Sequence, residues 1–112
     1  MGLSEKKCVP CMGGVPPMAR KDAEKLLAQL DGWELVEDAK KIRKKFKFGD
    51  FKEAMKFVNQ VAEIAESENH HPDIFVSYNR VEAMIFTHKI LGLTESDFIL
   101  AAKIDKKCRE EK

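Results

Sequence analysis

The stretch from Asp50 to His88, DFKEAMKFVNQVAEIAESENHHPDIFVSYNRVEAMIFTH, changes its hydrophobic period once, and that change decides the fold. Its first half reads as a helix. Asp50 is a good N-cap, and Glu53 three residues on makes a relative of the capping box. Phe51, Ala54, Met55, Val58, Val61, Ala62 and Ala65 then share one face, with Lys52, Lys56, Asn59, Glu63 and Glu66 elsewhere. The helix is expected to stop between Ser67 and Asn69, because Pro72 pushes His71 toward an extended backbone. Beyond the proline the period drops to two. Ile74, Val76 and Tyr78 alternate with Phe75 and Ser77, and after Asn79-Arg80 the residues Val81, Ala83, Ile85 and Thr87 again share a parity. Two strands joined by about two residues read as a hairpin.

Upstream, Ala23, Leu26, Leu27 and Leu30 recur at spacings of three and four, a helix from about Ala19 that ends at Asp31-Gly32. Trp33 and Leu35 alternate with Glu34 in a short strand before the turn at Glu37-Asp38-Ala39. Ile42, Phe46 and Phe48 share one parity and Lys41, Arg43, Lys45 and Lys47 the other, a strand with one buried and one basic face. Lys44 falls on the buried parity, so a bulge or an edge is expected there. Downstream, Thr94 caps a last helix, with Asp97 at its third position and Leu93 and Phe98 placed as a hydrophobic staple. Phe98, Ala101 and Ala102 supply its buried stripe, with Ile104 toward the margin. The order helix, strand, strand, helix, strand, strand, helix predicts an α+β fold: a four-stranded antiparallel sheet with three helices packed on one face. Residues 1–18, with Pro10, Gly13, Gly14, Pro16 and Pro17, read as a flexible arm preceding a single domain over 19–112.

Composition narrows the function. The 112 residues suffice for one core, and 20 basic against 19 acidic side chains argue against a dedicated nucleic-acid binder. No apolar run approaches the ~20 residues of a membrane helix. The N-terminus has no signal-peptide pattern, so a cytoplasmic location is expected. Three cysteines, Cys8, Cys11 and Cys108, make no disulfide framework. Cys8-x-x-Cys11 has metal-knuckle spacing but no second pair, and reads as exposed thiols on the arm.

All three histidines, His70, His71 and His88, lie in or beside the hairpin. If the hairpin returns as expected, His88 comes back to the end where His70 and His71 begin, and the imidazoles become neighbours. Such a cluster suits general acid/base work, and the end of the long helix together with Glu66 favours protonated imidazole. Ordinary loop histidines and a three-imidazole zinc site are the alternatives. The basic run from Lys40 to Lys47 reads as a solvated or oligomer-forming sheet face. Trp33 reads as a core residue or a stacking wall, and base rates favour core.

Glu66, three residues, then His70-His71-Pro72-Asp73, an aromatic six positions after the proline at Tyr78, Thr87-His88 ten beyond that, and Gly92-Leu93-Thr94 with Asp97 together resemble the signature of the pterin-4a-carbinolamine dehydratases. The likeness runs from about Ala19 to Arg109. It implies an enzyme that dehydrates 4a-hydroxytetrahydropterin to quinonoid dihydropterin, with His70, His71 and His88 as catalytic residues around the pterin. It also implies substrate-binding positions at Glu66, Pro72, Asp73, Thr87 and Trp33, and no metal or organic cofactor. The implied partners are a small-molecule pterin and further copies of the chain, as a homodimer or homotetramer, which would also cover open sheet edges. The alternative within the resemblance is a non-catalytic protein-interaction module of the dimerisation-cofactor type.

Overall fold

The computed structural model describes residues 2–8 and 16–110. Among these, the chain forms a 3-10 turn (Leu3–Glu5), α1 (Arg20–Leu27), β1 (Glu34–Val36), β2 (Lys41–Lys47), α2 (Phe51–Glu68), β3 (Asp73–Ser77), β4 (Arg80–Ile85) and α3 (Glu95–Glu110). The sheet is antiparallel throughout, in the order β1-β2-β4-β3. This is the expected α+β architecture.

Cross-strand pairs Ile42–Ile85 and Phe46–Val81 place the buried parity of β2 and β4 on one face, under the helices. Lys44 pairs with Ala83 on that same face, and β2 runs through it with no bulge. The lysine is accommodated by charge: its Nζ lies 2.8 Å from Asp105 Oδ1 on α3 and donates to the Asp31 carbonyl at 2.6 Å. An edge does begin at this point, because β1 covers β2 only from Lys41 to Arg43.

Reciprocal caps start α2. The Asp50 side chain accepts from Glu53 N and the Glu53 carboxylate accepts from Gly49 N, both at 2.8 Å. Its buried stripe is Ala54, Phe57, Val61 and Ala65, rotated from the expected one. Phe57, absent from that expectation, packs on Phe46 and Phe48 at ring separations of 4.7 and 5.1 Å, while Phe51 is 50% exposed and Ala62 faces outward. The aromatic floor of the sheet decides the rotation.

Three boundaries differ from expectation. Helix α1 closes at Leu27 because Gln29 and Leu30 donate to the carbonyls three residues back, tightening the chain toward Gly32 at φ 82°. The hairpin turn is Tyr78-Asn79, closed by the pair Ser77–Arg80, so Tyr78 is a turn residue and not a strand residue. His88 follows β4 in the short loop closed by the Thr87–Gly92 bridge, and does not end the strand.

The first half of α3 is enclosed on almost every side. Ser96 to Ala101 are all at or below 4% exposed, and Ile104, expected at the margin, is fully buried. The cover comes partly from the segment expected to be a loose arm. Leu3 joins the core, Lys103 Nζ donates to Ser4 O at 2.9 Å, and Cys8 N donates to Glu68 at 2.9 Å. Cys8 is therefore half-buried, its thiol donating to Ser96 O, and burial together with nearby Glu68 pushes its pKa up to about 12. Cys11 lies outside the described residues.

Candidate functional site

The end of α2 fixes the first histidine. Asn69 adopts the left-handed conformation at φ 51°, His70 N donates to Ala65 O and Asn69 N to Glu66 O. This is a Schellman closure, and it ties the His70 backbone to the last turn of the helix. From there the imidazole meets α3: His70 Nε2 lies 2.6 Å from Asp97 Oδ1.

Asp97 is wholly buried and has three partners. Besides His70, its Oδ2 accepts from Thr87 Oγ1 at 2.9 Å and from Thr94 N at 2.8 Å. The single hydroxyl proton of Thr87 thus goes to Asp97, so the Thr94 hydroxyl, 3.0 Å away, donates to Thr87. Where Asp97 accepts from all three partners, Nε2 of His70 is the nitrogen that donates to it. In neutral imidazole the lone pair then sits on Nδ1, which has no hydrogen-bond partner among the described residues.

The other two histidines have carboxylates of their own. His71 Nε2 is 2.5 Å from Glu66 Oε2, both side chains largely exposed. His88 Nε2 is 3.8 Å from Asp73 Oδ1 at the start of β3. The His88 ring also lies against Phe86, with centroids 4.1 Å apart, and Lys41 Nζ sits 4.5 Å from the centre of the Phe86 ring. The hairpin does return His88 to the proline end. A continuous path runs from Glu66 and His71 through Pro72 and Asp73 to His88, its neighbour Thr87, then Asp97 and His70.

Of the residues singled out from sequence, His70, His71, His88, Glu66, Pro72, Asp73 and Thr87 lie on this path. Thr87, at 4% exposed, supports Asp97 and offers little surface to a ligand. Trp33 is elsewhere. It precedes β1 at the opposite sheet edge, is 6% exposed, and donates from Nε1 to Asp105 at 3.0 Å. Asp97 was legible as the third position of a helix cap, and its role as partner of His70 was not. Its one further signal was its place in the spaced signature. No group of three or more His, Cys, Asp and Glu side chains converges as a metal site among the described residues. Two grooves, of about 680 and 510 Å³, are lined without any histidine, so the imidazole cluster belongs to neither.

Comparison with known proteins follows the same path. A family model described as pterin 4 alpha carbinolamine dehydratase matches residues 16–107. A protein of Rubrobacter xylanophilus with the provisional name pterin-4-alpha-carbinolamine dehydratase is 56% identical over 104 residues, covering 93% of this chain and 96% of its own. One of Halorhodospira halophila, provisionally named in the same way, is 55% identical over 94% of this chain and 96% of its own. A solved structure titled transcriptional coactivator/pterin dehydratase, from Brucella melitensis, superimposes with a TM-score of 0.76 at 38% identity, over 80% of this chain and 96% of its own. A pterin dehydratase-like RuBisCO assembly factor of the alpha-carboxysome shares the fold, with a TM-score of 0.59 at 21% identity over 68% of this chain and 88% of its own. With the signature residues gathered on one path and the match running nearly end to end, the chain belongs to the pterin 4 alpha carbinolamine dehydratase family.

Proposed function

We propose that the protein is a hydro-lyase that dehydrates 4a-hydroxytetrahydropterin to quinonoid dihydropterin, by histidine acid/base catalysis and in recycling of a tetrahydropterin cofactor. The observation that carries this reading is the His70–Asp97 pair. A buried carboxylate holds Nε2 of an imidazole whose side chain is 14% exposed, and in this reading the other ring nitrogen exchanges the proton. The reaction needs that chemistry. The C4a–O bond breaks and the hydroxyl leaves as water after taking a proton, while N5 gives up a proton, so one acid and one base suffice and no redox partner is required.

In this reading His70 and His88 carry the two protons. His71, tethered to the exposed Glu66, holds the pterin, and Asp73 lies 3.8 Å from Nε2 of the His88 ring. The chain works as a homo-oligomer, a dimer or a tetramer. Edge strand β3 supports this, leaving Phe75 58%, Val76 39% and the adjoining Tyr78 66% exposed. Mixing purified protein with freshly generated 4a-hydroxytetrahydropterin tests the proposal. Acceleration over the buffer reaction is expected. Its absence in folded protein would favour the protein-interaction role.

A further inference from the structure

The second half of β2 is an open edge lying in a groove, and it has no part in the histidine cluster. Phe48 N donates to Asn79 O at 2.8 Å, so Phe48, Phe46 and Lys44 turn their backbone groups toward β4. Lys45 and Lys47 therefore turn theirs the other way. On that side β1 ends where Glu34 faces Arg43, and the N–H and C=O groups of Lys45 and Lys47 have no strand partner among the described residues. The edge opens into the groove of about 680 Å³ between the first half of α2 and the last turns of α3.

The two sides of this edge differ in chemistry. Toward the helices its floor is aromatic, built from Phe46, Phe48 and Phe57; Lys44 there is neutralised by Asp105, and Glu53 and Lys56 of α2 line the wall. Toward the open sheet face stand Lys45 and Lys47. Lys45 lies opposite Glu82 and Lys47 directly opposite Arg80, and neither Lys47 nor Arg80 has an ion-pair partner among the described residues. Like charges placed opposite each other on a sheet destabilise it, and a carboxylate beside them would relieve the repulsion.

We propose that this edge is a docking groove for an extended segment of a protein partner, one that adds a strand beside Lys45–Lys47 and alternates apolar with acidic residues. The backbone ladder supplies binding, apolar side chains enter the aromatic floor, and acidic ones stand beside Lys47, where they offset its repulsion with Arg80. Lysines on an edge ordinarily deter pairing, but they deter only strands that bring no carboxylates of their own. A nucleic acid would meet the same cations yet could neither pair with the strand backbone nor fill the aromatic floor.

The test uses the full chain and a fluorescein-labelled peptide in which glutamate alternates with valine over eight residues. Saturable binding is expected, with amide shift changes at Lys45, Lys47, Phe57 and Gln60. The double variant Lys45→Glu/Lys47→Glu should weaken binding about tenfold or more, with circular dichroism unchanged. Lys45→Pro should weaken it too, since it removes a donor aimed at the groove and takes nothing from β4. Four results would overturn the proposal: no saturable binding below about 1 mM, equal binding of a peptide with the same residues in two blocks, equal binding of a single-stranded oligonucleotide, or occupation of the edge by a second copy of this chain.

Discussion

His70 and Asp97 approach to 2.6 Å across the junction of α2 and α3, and the carboxylate of this pair is fully buried. The same Asp97 closes the first turn of α3 through Thr94 N and holds Thr87, the residue before His88. One side chain thus caps a helix, orients one imidazole and anchors the loop that carries another. Stability and chemistry are coupled at this residue.

That coupling yields a prediction for two variants. Asp97→Ala leaves His70, Thr87 and Thr94 N without their acceptor and should cost about 3 kcal/mol in urea unfolding. Asp97→Asn preserves the shape and should cost less, about 1–3 kcal/mol. Both should lower kcat more than they raise KM, because the substrate is not what Asp97 touches. A folded Asp97→Asn with full kcat would remove Asp97 from the account.

Turnover should survive exhaustive chelation, since His70 and His88 are assigned to proton transfer, His71 to holding the pterin, and each imidazole faces a different carboxylate. Loss of activity with chelator and recovery with zinc would replace the acid/base reading with a metal one.

Multi-angle light scattering at micromolar concentration should give a dimer or tetramer. Phe75→Glu together with Tyr78→Glu should lower the mass by charging the exposed apolar side chains at the β3 edge. A monomeric wild type would contradict the oligomer proposal.

The Cys8 thiol, pushed up to about 12, stays protonated at pH 8 and should resist alkylation in the native state. Peptide mapping after brief iodoacetamide treatment should find Cys108 modified ahead of Cys8, with Cys8 reacting fully only in denaturant. Rapid native labelling of Cys8 would mean that the N-terminal segment does not hold its place on α3.

Much of this molecule was readable from the chain alone, for identifiable reasons. The hairpin and α2 follow from local periodicity, and His88 returns to the proline end because a short hairpin has no other course. What escaped depends on contacts distant in sequence. The rotation of α2 that buries Phe57 in place of Phe51 is set by Phe46 and Phe48 on another element. Lys44 fits a buried position because Asp105 lies across from it, 61 residues away. Leu3 reads as part of a loose arm until α3 is seen to lack cover without it. At the site, the residue types and spacing brought out the three histidines. The partnership of Asp97 with His70 spans 27 residues and leaves no local trace beyond a helix cap. Trp33, adjacent to the matched turn, proved to serve Asp105 and the core.

The central claim is that His70 and His88 move the protons of the dehydration, and stopped-flow turnover of freshly generated 4a-hydroxytetrahydropterin tests it most directly. Wild type should accelerate the reaction, and His70→Ala and His88→Ala should each lower kcat, by up to about 10²-fold. The double variant should fall toward the buffer rate, and His71→Ala should mainly raise KM. Full kcat in both His70→Ala and His88→Ala, with circular dichroism matching wild type, would contradict the account.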